Sequence, residues 1–203
     1  RLAIWVDLAV PRSAAAGRYK GRLLLRSGPT AFQAVDLDLT VYGFVLPDAK
    51  PLAAVGGFDH RELFRQFVRR DGQPFEPTHL DPNQPEVQKG LAVIRQMMTL
   101  AHEHRLDLFD RQLHPKIQRD GQGGLKLDWD DFDAVVRPYL TGDAFEDRIG
   151  VSAWPIPYSD DWPVPSYYGG VRSDLYARTA GEVIASAGRH FRALGAEEQA
   201  FVW

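Results

Sequence analysis

The chain has 203 residues, 44% of them apolar and 25% charged, a composition that supports a sizeable core and argues against long disorder. A net charge of −3 with no basic block argues against a nucleic-acid surface, and the lack of cysteine removes disulfides, thiolate catalysis and Cys-ligated zinc. No apolar run approaches the ~20 residues of a membrane span. The opening RLAIWVDLAV lacks the charged head, apolar middle and cleavage site of a signal peptide, so it reads as mature sequence or as sequence entered within a domain.

Along the chain, Ala3, Trp5, Asp7 and Ala9 alternate with Ile4, Val6, Leu8 and Val10, the period of a strand, which Pro11 stops. YKGRLLLR at 19–26 predicts a second strand and SGPTA a turn. A third strand is predicted over 32–44, with Val35, Leu37, Leu39 and Val41 on one face and Asp36, Asp38 and Thr40 on the other. Three strands do not make a stable sandwich alone, so the rest of such a domain is expected to precede them. The segment LDLTVYGFVLPDAKPL at 37–52 is the seam, with Pro47 and Pro51 bracketing a linker.

Beyond the seam the pattern alternates strand and helix. Residues 52–55 form a compact apolar run suited to a buried parallel strand. Leu63, Phe64, Phe67 and Val68 have helical spacing over 61–70, and 72–85 reads as a loop. Pro85 suits a first helical turn, followed by Val87, Leu91, Ile94, Met98 and Ala101 on one stripe. A strand is predicted at 106–109 and a turn at 121–124. Asp128 is the expected N-cap of a helix bearing Phe132, Val135, Val136, Tyr139 and Leu140, closed by Gly142. A short strand at 149–153 leads into the Pro-rich WPIPYSDDWPVPSYYGG. Ser173 caps a long helix bearing Leu175, Thr179, Val183, Ile184, Ala187, Phe191 and Leu194, with Gly195 as its stop, and Phe201 begins a last strand. Strands alternating with helices predict a parallel sheet. The expected fold is α/β: the C-terminal part of a β-sandwich at 1–47, then the first half of a (β/α)8 TIM-type barrel at 48–203, with about four strands.

Several segments carry a family resemblance. WVDLAVPRSAAAGRYKGRLLLRSG resembles the sandwich strand pair, and LTVYGFVLPD the seam, of glycoside hydrolase family 123 and its uncharacterised bacterial relatives. AHEHRLD is similar to that family's second barrel strand, DWDDFD to the following helix start, and the last helix into FVW to the approach to its catalytic strand. The resemblance implies hydrolysis of a β-linked N-acetylhexosamine, typically N-acetylgalactosamine. It implies substrate-assisted catalysis, in which the 2-acetamido oxygen attacks the anomeric carbon beside an Asp-Glu pair. In the family that pair follows the fourth strand, which places it after Trp203, so no residue here is assigned a catalytic role and the remainder of the protein, or a complementing chain, is the expected partner. A secreted or cell-envelope location is likewise what the resemblance implies.

Candidate binding residues come from two places. The loop after 149–153 holds Trp154, Tyr158 and Trp162, whose flat faces suit the C–H face of a sugar, beside Asp160 and Asp161 for hydroxyls. The competing reading is a Pro-stiffened loop whose aromatics pack on the domain below. Asp110, Arg111 and His114 follow the second predicted barrel strand, and Arg111 and His114 join the carbohydrate-binding set; a solvated loop with an ion pair is the alternative. His102 and His104 are two apart on a helix and point apart, and the acidic run at 128–133 lacks the glycine and terminal Glu of a calcium loop, so no metal or other cofactor is expected. No GxSxG, GxxxxGK[ST] or HExxH is present. A non-catalytic carbohydrate-binding or structural protein on the same scaffold is the alternative function.

Overall fold

The computed structural model describes residues 3–47, 52–119 and 125–202. The linker centre at 48–51, the predicted turn at 121–124 and Trp203 lie outside the described residues. The chain divides into two compact units, 1–49 and 50–203.

The first unit is built on one antiparallel hairpin, β1 (Gly17–Ser27) and β2 (Thr30–Val41). Its register pairs Tyr19 with Leu39, Leu23 with Val35 and Gly21 with Leu37, so one face is apolar. On the other face Lys20 opposes Asp38 and Arg22 opposes Asp36, the latter pair 2.7 Å apart. The segment expected as a first strand, residues 3–10, is not a strand, and Ile4, Trp5, Val6, Leu8 and Val10 are exposed. Alternation alone does not make a strand where no neighbour takes up the backbone hydrogen bonds.

The second unit holds the core. Its elements run β3 (Val55–Phe58), α1 (His60–Phe67), the two-residue strands β4 (Arg69–Arg70) and β5 (Gln73–Pro74), α2 (Pro85–Glu103), β6 (Asp107–Asp110), β7 (Lys116–Arg119), β8 (Leu125–Asp128), α3 (Asp130–Thr141), β9 (Trp154–Pro155), α4 (Asp174–Ala193) and β10 (Ala200–Phe201). Pro85 opens α2 as its spacing predicts, and Val87, Gly90, Ile94, Met98 and His102 are its buried stripe. Ser173 caps α4 by accepting from Tyr176 N–H at 3.0 Å. Helix α3 starts one residue later than expected: Trp129 is its N-cap position, and Asp128 instead accepts the Asp130 N–H at 3.2 Å. The core gathers Phe64, Phe109, Phe132, Val136, Trp154 and Phe191 between these helices and the short strands.

The expected fold class is overturned. The described residues contain no β-sandwich and no half barrel; they form a mixed α/β structure of four α-helices and five two-stranded sheets. A sandwich needs two stacked sheets, and the first unit has one hairpin. A barrel needs a continuous parallel ladder, whereas β3 pairs in parallel only with β6, and β9 only with β10. The predicted strand at 149–153, which would join these pairs, is not a strand. Its backbone donors go elsewhere: Val151 N–H to Tyr139 O at 3.0 Å, and Ser152 N–H to the Asp107 carboxylate at 2.8 Å. An antiparallel pair, β7 with β8, lies in segments to which the sequence pattern assigns no element.

Candidate functional site

Polar side chains converge where the parallel pair β3–β6 ends. Leaving β3, the chain reads Asp59-His60-Arg61; leaving β6, it reads Asp110-Arg111. Asp59 caps α1, and its carboxylate takes the Arg61 N–H at 2.9 Å and the Arg61 guanidinium at 2.7 Å. Burial pushes the Asp59 carboxyl up, but the hydrogen bonds from Arg61 outweigh it and hold the group below the usual range. The same pairing raises Arg61.

His60 is the first residue of α1 and Asp110 the last of β6, and both are almost fully buried, at 2% and 4% exposure. His60 Nδ1 lies 2.7 Å from Asp110 Oδ2, and the Gln112 N–H donates to Asp110 Oδ1 at 2.9 Å. The other ring nitrogen, Nε2, is buried and meets no hydrogen-bonding group among the described residues. The Phe64 ring, one turn along α1, meets the imidazole edge-on at 6.1 Å between centroids.

His114 and the 155–162 segment close this end. Ser159 and Trp162 exchange backbone hydrogen bonds at 2.9 and 3.3 Å, and Ser159 Oγ donates to Asp161 at 2.6 Å. This tight turn lays the Trp162 indole on the His114 imidazole, centroids 4.5 Å apart and planes 13° from parallel. Burial pushes His114 down to about 4, against the pull of Asp110 and Asp161. Asp110, Leu113, His114, Ile156, Tyr158 and Ser159 line a cavity of ≈ 20 Å³, room for about one water-sized group. Tyr158 is half-buried and pairs with the Tyr176 hydroxyl, which burial and this bond raise.

Of the five residues expected to bind sugar, four meet here. Arg111, His114 and Tyr158 line the cavity, and Trp162 covers His114. Arg111 is exposed and lies across β3: a Cβ on Gly57 would stand 2.7 Å from its Cδ. Trp154 is separate. It lies in the core at 2% exposure, stacked 6.2 Å from Tyr139, and offers no face to a ligand. Asp160 and Asp161 are both exposed.

Asp59, His60 and Arg61 were missed from the sequence. The available signal is DHR directly after a strand: the sequence pattern predicts that strand at 52–55, three residues short of Asp59, whereas the structure has it at Val55–Phe58, directly before Asp59.

The remaining histidine candidates have partners. His102 bridges Asp107 at 3.0 Å and Asp147 at 3.2 Å, and Ser152 Oγ donates to Asp107 at 2.6 Å. His104 turns outward, its Nδ1 2.9 Å from Leu100 O. In the acidic run, Asp131 pairs with His79 and Lys116 and Asp133 with His190. Among the described residues no group of three or more His, Asp or Glu is placed to hold a metal ion. No helix among them is long and apolar enough to cross a membrane.

No family model, no curated protein and no solved structure matches the chain.

Proposed function

We propose that the end of the β3–β6 pair is a carbohydrate site of glycoside-hydrolase type, directed to a β-linked N-acetylhexosamine. The observation that carries this reading is the Trp162–His114 stack beside the buried His60–Asp110 pair. An aromatic face suits the C–H face of a pyranose, and adjacent polar groups suit its hydroxyls; together they are what sugar binding requires. Tyr158 and Arg111 add a hydroxyl and a guanidinium on the same cavity. The N-acetylhexosamine preference and the substrate-assisted route come from the resemblance.

A second reading, carbohydrate binding without hydrolysis by these residues, is favoured by one observation. Three carboxylates at this end have a protein partner: Asp59 has Arg61, Asp110 has His60, and Asp161 has Ser159. A general acid needs a proton to give, and these groups are held as acceptors.

The test compares methyl β-N-acetylgalactosaminide with the matching galactoside by Trp fluorescence titration, and the 4-nitrophenyl glycosides by hydrolysis. Saturable binding of the N-acetyl sugar is expected, weakened roughly 10-fold or more by Trp162→Ala. Turnover, where present, should require the 2-acetamido group. Equal hydrolysis of both glycosides ends the substrate-assisted route, binding without turnover selects the second reading, and no saturable sugar response ends both.

A further inference from the structure

We propose that Gly57 is the positioning residue for Arg111: the side chain it lacks leaves the room in which the Arg111 stem lies across β3, and this keeps the guanidinium at the cavity as the donor to oxygens of the sugar. The proposal rests on the carbohydrate reading above and adds to it the residue that places the donor.

Glycine inside a strand weakens it, and where it occurs it often marks the close approach of another group. Gly57 has no conformational need to be glycine, since it is the third residue of β3 and its φ lies outside the left-handed region. What approaches is Arg111. A Cβ at position 57 would stand 2.7 Å from Arg111 Cδ and 2.9 Å from its Cγ, well inside the contact distance of two carbons. The Phe109 ring, opposite Gly57 in the β3–β6 register, borders the same space with Cε2 at 3.0 Å. Phe109 has little room to give way, being fully buried and edge-on to Phe201 at 5.4 Å between centroids. Arg111 is exposed, so a side chain at 57 would displace Arg111 first.

That displacement bears on the site. The Arg111 N–H is fixed to Phe58 O at 2.9 Å, so its backbone is anchored where β3 and β6 end and the path of the stem decides where the head goes. A long cationic side chain lays its stem on the protein and keeps its charge in water, and Arg111 does so at the cavity it shares with His114, Tyr158 and Ser159. Among the described residues its guanidinium has no hydrogen-bond or ion-pair partner, whereas Asp59, Asp110 and Asp161 each have one. A guanidinium carries five N–H donors in a planar fork and no acceptor, which suits two neighbouring oxygens of a sugar. A methyl group at position 57 would lift the stem and move that fork.

The test titrates the whole chain with methyl β-N-acetylgalactosaminide, read by Trp fluorescence, as wild type, Gly57→Ala, Arg111→Ala and the double variant. The urea midpoints of the wild type and Gly57→Ala are measured alongside. Gly57→Ala and Arg111→Ala are each expected to bind roughly 10-fold more weakly, with the Gly57→Ala midpoint close to that of the wild type. The double variant should bind no more weakly than Arg111→Ala, because Gly57 acts through Arg111. A glycine that mattered only to the strand would lower the midpoint and weaken the double variant further. Unchanged binding by either single variant, a further loss in the double variant, or a Gly57→Ala chain that unfolds or loses stability overturns the proposal and leaves the carbohydrate reading standing. No saturable response in the wild type overturns both.

Discussion

At the scale of single residues, histidines and carboxylates do much of the fastening. His60 with Asp110, His79 with Asp131 and His190 with Asp133 each join positions 50 or more apart in sequence. His114 stands apart from these, because burial favours its neutral form against the pull of Asp110 and Asp161. Its folded-state value of about 4 lies below the 6.5 of an unfolded histidine. The unfolded chain therefore takes a proton that the folded chain refuses. Stability is full above about pH 6.5, falls as pH drops toward about 4, and changes no further below it, with a ceiling of about 3 kcal/mol. His114→Gln should flatten that part of the profile. Denaturant unfolding of both proteins at pH 7.5 and pH 4.5 checks this; parallel losses in the two would show that His114 is not the group responsible.

At the scale of elements, the contact between α1 and α2 determines how firmly the site is held. Gly90 sits on the buried stripe of α2, and a Cβ there would fall inside the Phe64 ring. Phe64 has no exposure and packs 6.0 Å from Phe75, so it has nowhere to retreat. Alanine is the better helix former by about 1 kcal/mol, yet overpacking a rigid core costs about 1–3 kcal/mol. Gly90→Ala should therefore destabilise by up to about 2 kcal/mol and, by moving Phe64, should disturb the His60 ring as well. Urea unfolding measures the first effect and the His60 resonances the second. A raised midpoint would mean that Phe64 can relax and that the helix contact is looser than its geometry.

At the scale of the whole molecule, the two units differ in how their hydrogen bonds are protected. The second unit buries a core shared by α1 to α4, whereas the first rests on one hairpin whose cross-strand ion pair at Arg22 and Asp36 is exposed. A surface pair contributes about 1 kcal/mol or less, and a two-stranded hairpin alone is marginal in water. Amide hydrogens of β1 and β2 should exchange about 100-fold or more faster than those of the buried turns of α2 and α4, equivalent to about 3 kcal/mol. Mass spectrometry of peptic fragments after timed exchange reads this directly. Equal protection in the two units would show that the hairpin's apolar face is covered as well as the helical core.

Much of the helical structure was written in local pattern. Apolar stripes, Pro85 and Ser173 mark α2 and α4, because helix hydrogen bonds close within the segment and caps sit next to it. Strands were legible only as tendencies. Residues 3–10 and 149–153 carry the pattern without the partner, since a ladder depends on which distant backbone arrives beside it. The site shows the same division. Arg111, His114, Tyr158 and Trp162 could be named from residue type and position, but Trp154 shares their chemistry and is buried in the core. Asp110 and His60 became a pair only when β3 and β6 aligned. Sequence alone determined the helices and the kinds of side chain available, because those depend on near neighbours. Tertiary structure decided the sheets and the site, because both require groups some fifty residues apart to meet at hydrogen-bonding distance.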